Sequence, residues 1–349
     1  MAEDWHGLVD LEKLTGWMDD QGLGDGPLED VEQLVGGTQN ILLKFTRAGR
    51  SFVLRRPPRH PRMNGNDIMR REAKVLGAIR ETNVPHPKLI AACDSEDVLG
   101  VAFYLMEPID GFNATTGLPP LYAESDEARY QMGFQMAEAA AKLGAVDHVA
   151  AGLGDFGKPE GYLERQVARW QSQLESYHDY ENWEGPSAIP GVEKVAKWLD
   201  DNRPKDFTPG IIHGDFHLSN VMFATKKTEL AAIVDWELTT IGDPLIDLGW
   251  LMVTWPNRDQ GGPTSAAVGA AIPDLAKESE LVAHYRGLTT RNMDAIDWYA
   301  VLACYKLGII LEGSNARASV GKAPKDVGDA LHATTIGLFE QALQRIGQA

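Results

Sequence analysis

The residues best suited to chemistry lie in Ile211-Ile212-His213-Gly214-Asp215-Phe216-His217-Leu218-Ser219-Asn220. An apolar run leads into His-Gly-Asp, and Asn220 follows five residues after Asp215. Twenty residues after Asp215, a second apolar run, Ala232-Ile233-Val234, ends in Asp235-Trp236-Glu237. Either aspartate alone could simply start a turn after a strand. Two carboxylates at strand ends with an asparagine between them suit phosphoryl transfer. One Asp can accept the proton of an attacking hydroxyl, while the other Asp and the Asn can hold Mg²⁺ against nucleotide phosphates.

Other candidates lie upstream. Gly36-Gly37-Thr38-Gln39-Asn40 separates two strand-like runs. Glycine permits close backbone approach to phosphate, and successive N–H groups can cradle an anion, although a plain hairpin would use Gly-Gly too. Between Lys44 and Lys74 there are ten basic residues and only Asp67 and Glu72 as acids. That local excess suggests an anionic ligand over this part of the chain, or else a solvated face.

These residues must be carried by two different kinds of structure. Leu8, Leu11, Leu14, Trp17 and Met18 recur at helical spacing, so the chain opens with an amphipathic helix. Val31–Val35, Ile41–Thr46, Ser51–Arg55, Leu89–Cys93 and Val101–Met106 read as strands, with Ala48-Gly49-Arg50 as a tight turn. Residues 66–80 return to helical period. Glu107-Pro108-Ile109-Asp110-Gly111 reads as a connector. Beyond it, helices are expected near 125–145, 160–178, 190–201, 243–255, 278–287, 294–313 and 324–346. They are interrupted by apolar strand pieces at Ile211-Ile212, 221–223 and 230–234. Asp243 followed by Pro244 marks a helix start. The layout is α+β.

The 349 residues carry a net charge of −17. That sign argues against broad binding to nucleic acid or anionic membrane. Only Cys93 and Cys304 are present, too few for a disulfide framework or thiolate metal site, and a reducing, cytoplasmic setting is expected. The start shows no basic n-region or apolar h-region. The longest apolar stretch, Trp298–Leu311, is interrupted by Lys306 and falls short of the roughly 18–20 residues of a membrane span. It reads as a core helix.

The His213-Gly-Asp215-Phe-His-Leu-Ser-Asn220 block, paired with Ile-Val-Asp235-Trp-Glu, resembles the signature of the aminoglycoside phosphotransferase and choline kinase-like family. Together with Phe52-Val-Leu-Arg-Arg-Pro-Pro58, it is similar to the branch of kinase-like domains fused to acyl-CoA dehydrogenases. The resemblance covers nearly the whole chain. It implies a protein kinase-like bilobal fold. The N-lobe would be a small antiparallel sheet (residues 1–106), followed by a hinge at 107–111 and a mostly helical C-lobe at 112–349. It further implies ATP-dependent transfer of a γ-phosphoryl group to a small-molecule hydroxyl.

Carried over by position, the resemblance makes Asp215 the base, Asn220 and Asp235 the metal ligands and His213 the prop of the catalytic loop. His217 stands where protein kinases carry a lysine near the transferring phosphate, so it could donate to that phosphate or brace the loop. Gly36, Gly37, Thr38 and Asn40 resemble the nucleotide-covering loop. Arg55 stands where kinases carry a lysine that contacts phosphate. Whether Arg55 or Arg56 makes that contact is open on chemistry alone; alternation puts them on opposite faces, and alignment favours Arg55. Glu72 matches its helix partner. Backbone groups of Glu107 and Ile109 would hold adenine, and Asp247 would brace the catalytic loop.

For the acceptor, the resemblance offers aminoglycosides, yet the last residues, Leu343–Ala349, lack the acidic cluster that such cationic sugars call for. The acyl-CoA-dehydrogenase-linked branch implies hydroxyacyl compounds or their CoA esters. Some of Trp170, Trp183, Trp236, Trp250, Trp255 and Trp298 could line an apolar acceptor pocket. The rival function is a silent nucleotide-binding pseudokinase. Oligomeric state is not legible.

Overall fold

The computed structural model describes residues 5–34, 40–60, 64–257 and 272–348. The chain begins with α1 (Leu11–Asp20), capped by Asp10, whose carboxylate accepts from the N–H groups of Glu12 and Lys13. That cap explains why the helix starts at Leu11 rather than at Leu8. The strands β1 (Glu29–Gln33), β2 (Ile41–Arg47) and β3 (Arg50–Arg56) follow, then α2 (Gly65–Ala78), β4 (Leu89–Cys93) and β5 (Phe103–Met106). They form one antiparallel sheet in the order β1-β2-β3-β5-β4. Between β2 and β3, Arg47 pairs with Arg50, and Ala48 and Gly49 both take positive φ (49° and 73°). That is the twist a two-residue hairpin turn needs.

Period-2 alternation gives this sheet two different partners. Leu43, Phe45, Phe52, Leu54, Phe103 and Leu105 pack with Leu14 and Met18 of α1 in one core. Tyr104 faces the opposite way and joins Val75 and Leu76 of α2 in the larger core. Arg55, opposite Tyr104 in the register, shares that second face.

After β5 the chain runs into β6 (Gly111–Phe112), α3 (Pro120–Ala123), α4 (Asp126–Gly144), α5 (Glu164–Glu175) and α6 (Val192–Asp201). The strands β7 (Gly210–Ile212), β8 (Val221–Ala224), β9 (Leu230–Ile233) and β10 (Thr240–Gly242) come next. Last come α7 (Leu245–Thr254), α8 (Glu278–Leu288), α9 (Ile296–Ser319) and α10 (Lys325–Gln348). β10 pairs with β7, and β6 pairs with β8, which pairs with β9. All ten residues of α7 are buried, and α9 is buried around most of its girth. A helix apolar on every side belongs in a core, and no described helix is long and apolar enough to cross a membrane.

The expected elements are present with shifted edges. β1 lies two residues earlier than Val31–Val35, and its residues are largely solvent-facing, so apolar spacing marked it poorly. α5 starts at Glu164 rather than 160, after Pro159 and Gly161, and a 3₁₀ turn at Ser176–Asp179 takes its expected tail. Asp243 does accept from the N–H of Leu245, but α7 begins one residue past Pro244. β6, β10 and α3 have two to four residues each, too short for a periodic signal.

Candidate active site

β7 delivers His213 to the centre of the molecule, where backbone and side chains lock the following loop. The main-chain N–H groups of His213 and Gly214 donate to the two carboxylate oxygens of Asp247 in the first turn of α7, at 2.6 and 2.9 Å. Gly214 has φ +89°, and a Cβ there would lie 2.6 Å from the carbonyl oxygen of Leu238. Glycine is needed for both the conformation and the close approach. The fully buried His213 ring bridges the loop to the end of β9. Its Nε2 meets the Val234 carbonyl (3.0 Å), and its Nδ1 accepts from the N–H of Asp215 (3.3 Å). That pairing requires the neutral Nε2–H tautomer, and burial lowers the ring's basicity accordingly. His213 props the loop.

Asp215 is held from three sides. The Asn220 amide donates to its carbonyl and to Oδ2, both at 2.9 Å. His217 accepts from the N–H of Ser219 at Nδ1, so its Nε2 carries the proton that faces Asp215 Oδ1 at 3.3 Å. Burial alone would push the Asp215 carboxyl up, but the His217 hydrogen bond and the electrostatic pull of His217, His213 and Lys306 outweigh it and hold the group at about 2.

A depressed carboxyl gives stability that is fully present above its unfolded value near 3.9 and is lost as pH falls toward 2. With solvent screening at this partly exposed side chain, about 1–2 kcal/mol is expected from Asp215. Urea unfolding between pH 5 and 3 should therefore show a shallower acid loss in Asp215→Asn than in the wild type; an identical pH slope would count against the charge-stabilised carboxylate.

Asp235 follows β9 in the left-handed region (φ 65°), a conformation aspartate tolerates, and its side chain is 43% exposed. Arg55 reaches it across the molecule. Its Nη2 donates to Asp235 Oδ1 (2.8 Å) and to Glu72 Oε1 (2.8 Å), while Nε donates to Glu72 Oε2 (2.9 Å). Tyr104 also donates to Glu72, at 3.1 Å. Burial opposes the Arg55 charge, but Glu72 and Asp235 overcome it and hold the guanidinium well above its ordinary value. Arg56 points to the other sheet face, where it donates to the carbonyls of Pro57 and Leu8. The strand register assigns Arg55, not Arg56, to the site.

The donor set around Asp235 suits a hard cation. Two acceptors of Asp215 face the Asn220 amide, so only its NH₂ end can serve them, which leaves Oδ1 for a metal. The main-chain carbonyl of Asn220 accepts from the N–H of Val234, next to Asp235. No cluster of three or more His, Cys, Asp or Glu is placed to hold a metal among the described residues. Magnesium needs none, since it takes one or two carboxylates and completes its shell with phosphate and water.

Of the expected nucleotide loop, Gly36, Gly37, Thr38 and Gln39 lie outside the described residues; Asn40 immediately precedes β2. The N–H of Glu107 is already donated to the Lys88 carbonyl, so at Glu107 the carbonyl is the group open to a base.

Beside Gly214 opens a cavity of about 460 Å³. Trp170 and Trp250 line it, as do Lys306, Arg71 and Arg169. The other tryptophans named from sequence (Trp183, Trp236, Trp255 and Trp298) are core residues. Lys306 donates to the Gly214 carbonyl at 2.9 Å and lies 4.2 Å from the Trp250 ring centre. Burial pushes its ammonium down to about 8, against the pull of Asp215 and Asp247. The sequence signal for Lys306 was its position as the one charge inside the apolar Trp298–Leu311 stretch. Arg71 and Arg169 gave no comparable signal.

A family model described as the phosphotransferase enzyme family matches residues 30–281. Mouse acyl-CoA dehydrogenase family member 10 is 29% identical over 304 residues, covering 85% of this chain but only 27% of its own length. The chain thus spans about a quarter of that relative. A Ralstonia eutropha crystal structure, provisionally named an aminoglycoside phosphotransferase, has a TM-score of 0.79 at 28% identity and covers 96% of this chain and 98% of its own. The GDP complex of an aminoglycoside 2′-phosphotransferase-IIIa variant shares the fold, with a TM-score of 0.61 at 17% identity over 97% of this chain and 98% of its own. With the kinase-like fold, the His-Gly-Asp loop and a model match over most of its length, the chain belongs to the phosphotransferase enzyme family.

Proposed function

We propose that this protein transfers the γ-phosphoryl group of ATP to a hydroxyl of a small molecule. The observation that carries this reading is the Asp215 carboxylate, clamped by Asn220 and His217 next to the cavity at Gly214. The acceptor hydroxyl oxygen forms the new bond to the γ-phosphorus, the bond to the β-phosphate oxygen breaks, ADP leaves, and the hydroxyl proton passes to Asp215. A carboxylate held at about 2 is a weak base, so it mainly orients the hydroxyl and takes its proton late, as a loose transition state requires.

On this reading, residues 1–106 bind the nucleotide, 107–111 form the hinge with Glu107 and Ile109 against adenine, and 112–349 carry the catalytic loop and acceptor site. Arg55 serves the phosphates and is set by Glu72. Gly36, Gly37, Thr38 and Asn40 cover the nucleotide. Asn220 and Asp235 hold Mg²⁺, which supplies neutralisation of the phosphate charge when bound. Cys93 and Cys304 are both buried and neither takes part in a disulfide, which suits a reducing cytoplasm.

The test is a screen with labelled ATP across aminoglycosides, macrolides, choline, sugars and hydroxyacyl compounds or their CoA esters. Transfer to at least one acceptor is expected. Tight ATP binding with no transfer to any of them would turn the reading into a silent nucleotide binder. Asp235→Ala should keep the fold, because Arg55 retains Glu72, but lose the metal-dependent part of ATP affinity, on the order of tenfold or more. Calorimetry with and without Mg²⁺ measures this, and an unchanged Mg²⁺ dependence would remove Asp235 from the metal site.

A further inference from the structure

Resting on the phosphotransferase reading, we propose that the cavity beside Gly214 binds acceptors bearing a compact oxyanion, carboxylate or phosphate, through Arg169, Arg71 and Lys306, and rejects cationic ones. In a chain of net charge −17, cations are expected to be consumed by the surrounding acids. Elsewhere they are. In the basic stretch at 44–74, Lys44 pairs with Glu32, Arg47 with Asp19, Arg70 with Asp67 and Lys74 with Asp155. Arg71, from the same helix, differs. Its guanidinium meets the carbonyls of Phe156 and Thr239 and lies 4.0 Å from the Phe156 ring centre.

Arg169 is exposed at the cavity, 5.3 Å from the Trp170 ring centre, and its charge reaches both Tyr162 and Lys306. Neither arginine, nor Lys306, forms an ion pair among the described residues. Lys306 uses one of its three N–H donors on Gly214. Among the described residues, Glu237 is the one carboxylate in the wall. Low-dielectric walls focus the field of charges that no carboxylate contacts directly, and a guanidinium fits a carboxylate or phosphate with two parallel hydrogen bonds. A polyamine-like acceptor would meet like charge, which disfavours it by design.

The body of the acceptor is apolar. Leu238 and Ile310 are among the few large hydrophobic residues exposed on this protein (51% and 39%), and both line this cavity. With Trp170 and Trp250 they offer a greasy wall alongside the cations. An anionic head on Arg169 and an apolar body along that wall leave the hydroxyl free to approach Asp215 next to Gly214.

The experiment is calorimetric binding to the full chain without nucleotide, so that it does not depend on turnover. The probes are 3-hydroxydecanoate, its neutral methyl ester, glycerol 3-phosphate and kanamycin. At least one anionic probe should bind, and the first should bind about tenfold or more tighter than its ester if the head is a carboxylate; preference for glycerol 3-phosphate assigns a phosphate head instead. Kanamycin should not compete. Arg169→Glu, a change at an exposed helix position, should erase the anion preference, and Arg169→Lys should restore most of it. Equal binding of acid and ester without glycerol 3-phosphate binding, competitive kanamycin binding, no binding by either anion, or indifference to Arg169→Glu would each overturn the proposal. If the charge preference holds but no phosphoryl group reaches any acceptor with Mg²⁺-ATP present, it is the phosphotransferase reading that fails, and the anion site stands.

Discussion

Asp215→Asn should lower kcat by about 10²–10⁴-fold, the usual contribution of a positioned acid–base group. Mg²⁺-ATP affinity should stay within about threefold, because on the proposed function the residue faces the acceptor rather than the metal. The change is nearly isosteric. An asparagine carbonyl can still accept from Asn220, so the loop held by Asp247, His213 and Gly214 keeps its shape. What is lost is the negative charge and the proton acceptor, and the new NH₂ end faces the donor of His217. The measurement is single-turnover transfer to the best acceptor alongside calorimetry with ATP. Activity within threefold of wild type would remove Asp215 from the base position.

Much of this site was legible because its residues sit in short, ordered motifs. His213, Asp215 and Asn220 fall within eight residues, and the apolar runs that become β7 and β9 end at His213 and just before Asp235. Local order of that kind survives without three-dimensional knowledge. The strand alternation that separates Arg55 from Arg56 was equally local, and the two side chains do leave opposite faces of the sheet. The cavity beside Gly214 was not legible. Arg71 comes from α2, Arg169 from α5, Lys306 from α9 and Leu238 from the turn before β10, so only tertiary packing assembles them. Arg71 was hidden further by its neighbours, since its charge looked like one more in a basic stretch that also holds the surface pairs of Lys44, Arg70 and Lys74. The short elements β6, β10 and α3 were lost for a different reason: two to four residues carry no period.

The second large effect is expected at Arg55, and it is asymmetric. Glu72 is fully buried and accepts three hydrogen bonds, two from Arg55 and one from Tyr104. Arg55→Met removes the only cation paired with that carboxylate among the described residues and leaves a buried charge with a tyrosine hydroxyl. Breaking such a pair from one side costs about 3–5 kcal/mol. Glu72→Gln leaves Arg55 its 2.8 Å contact with the more exposed Asp235, so about 1–3 kcal/mol is expected. The double variant should be more stable than the sum of the single losses predicts, by a coupling of about 1–3 kcal/mol, because the two groups act as one unit. Urea midpoints at constant m-value give these quantities. The same unit positions phosphate on the proposed function. Arg55→Lys keeps the charge but cannot bridge Glu72 and Asp235 with a planar fork, so kcat/KM should fall on the order of tenfold, about 1.4 kcal/mol. Arg56→Lys, whose partners are the carbonyls of Leu8 and Pro57 on the far face, should leave kcat/KM nearly unchanged. A silent Arg55→Lys beside a damaging Arg56→Lys would mean that the phosphate contact is made from the face packed against α1, contrary to the register in which Arg55 lies opposite Tyr104.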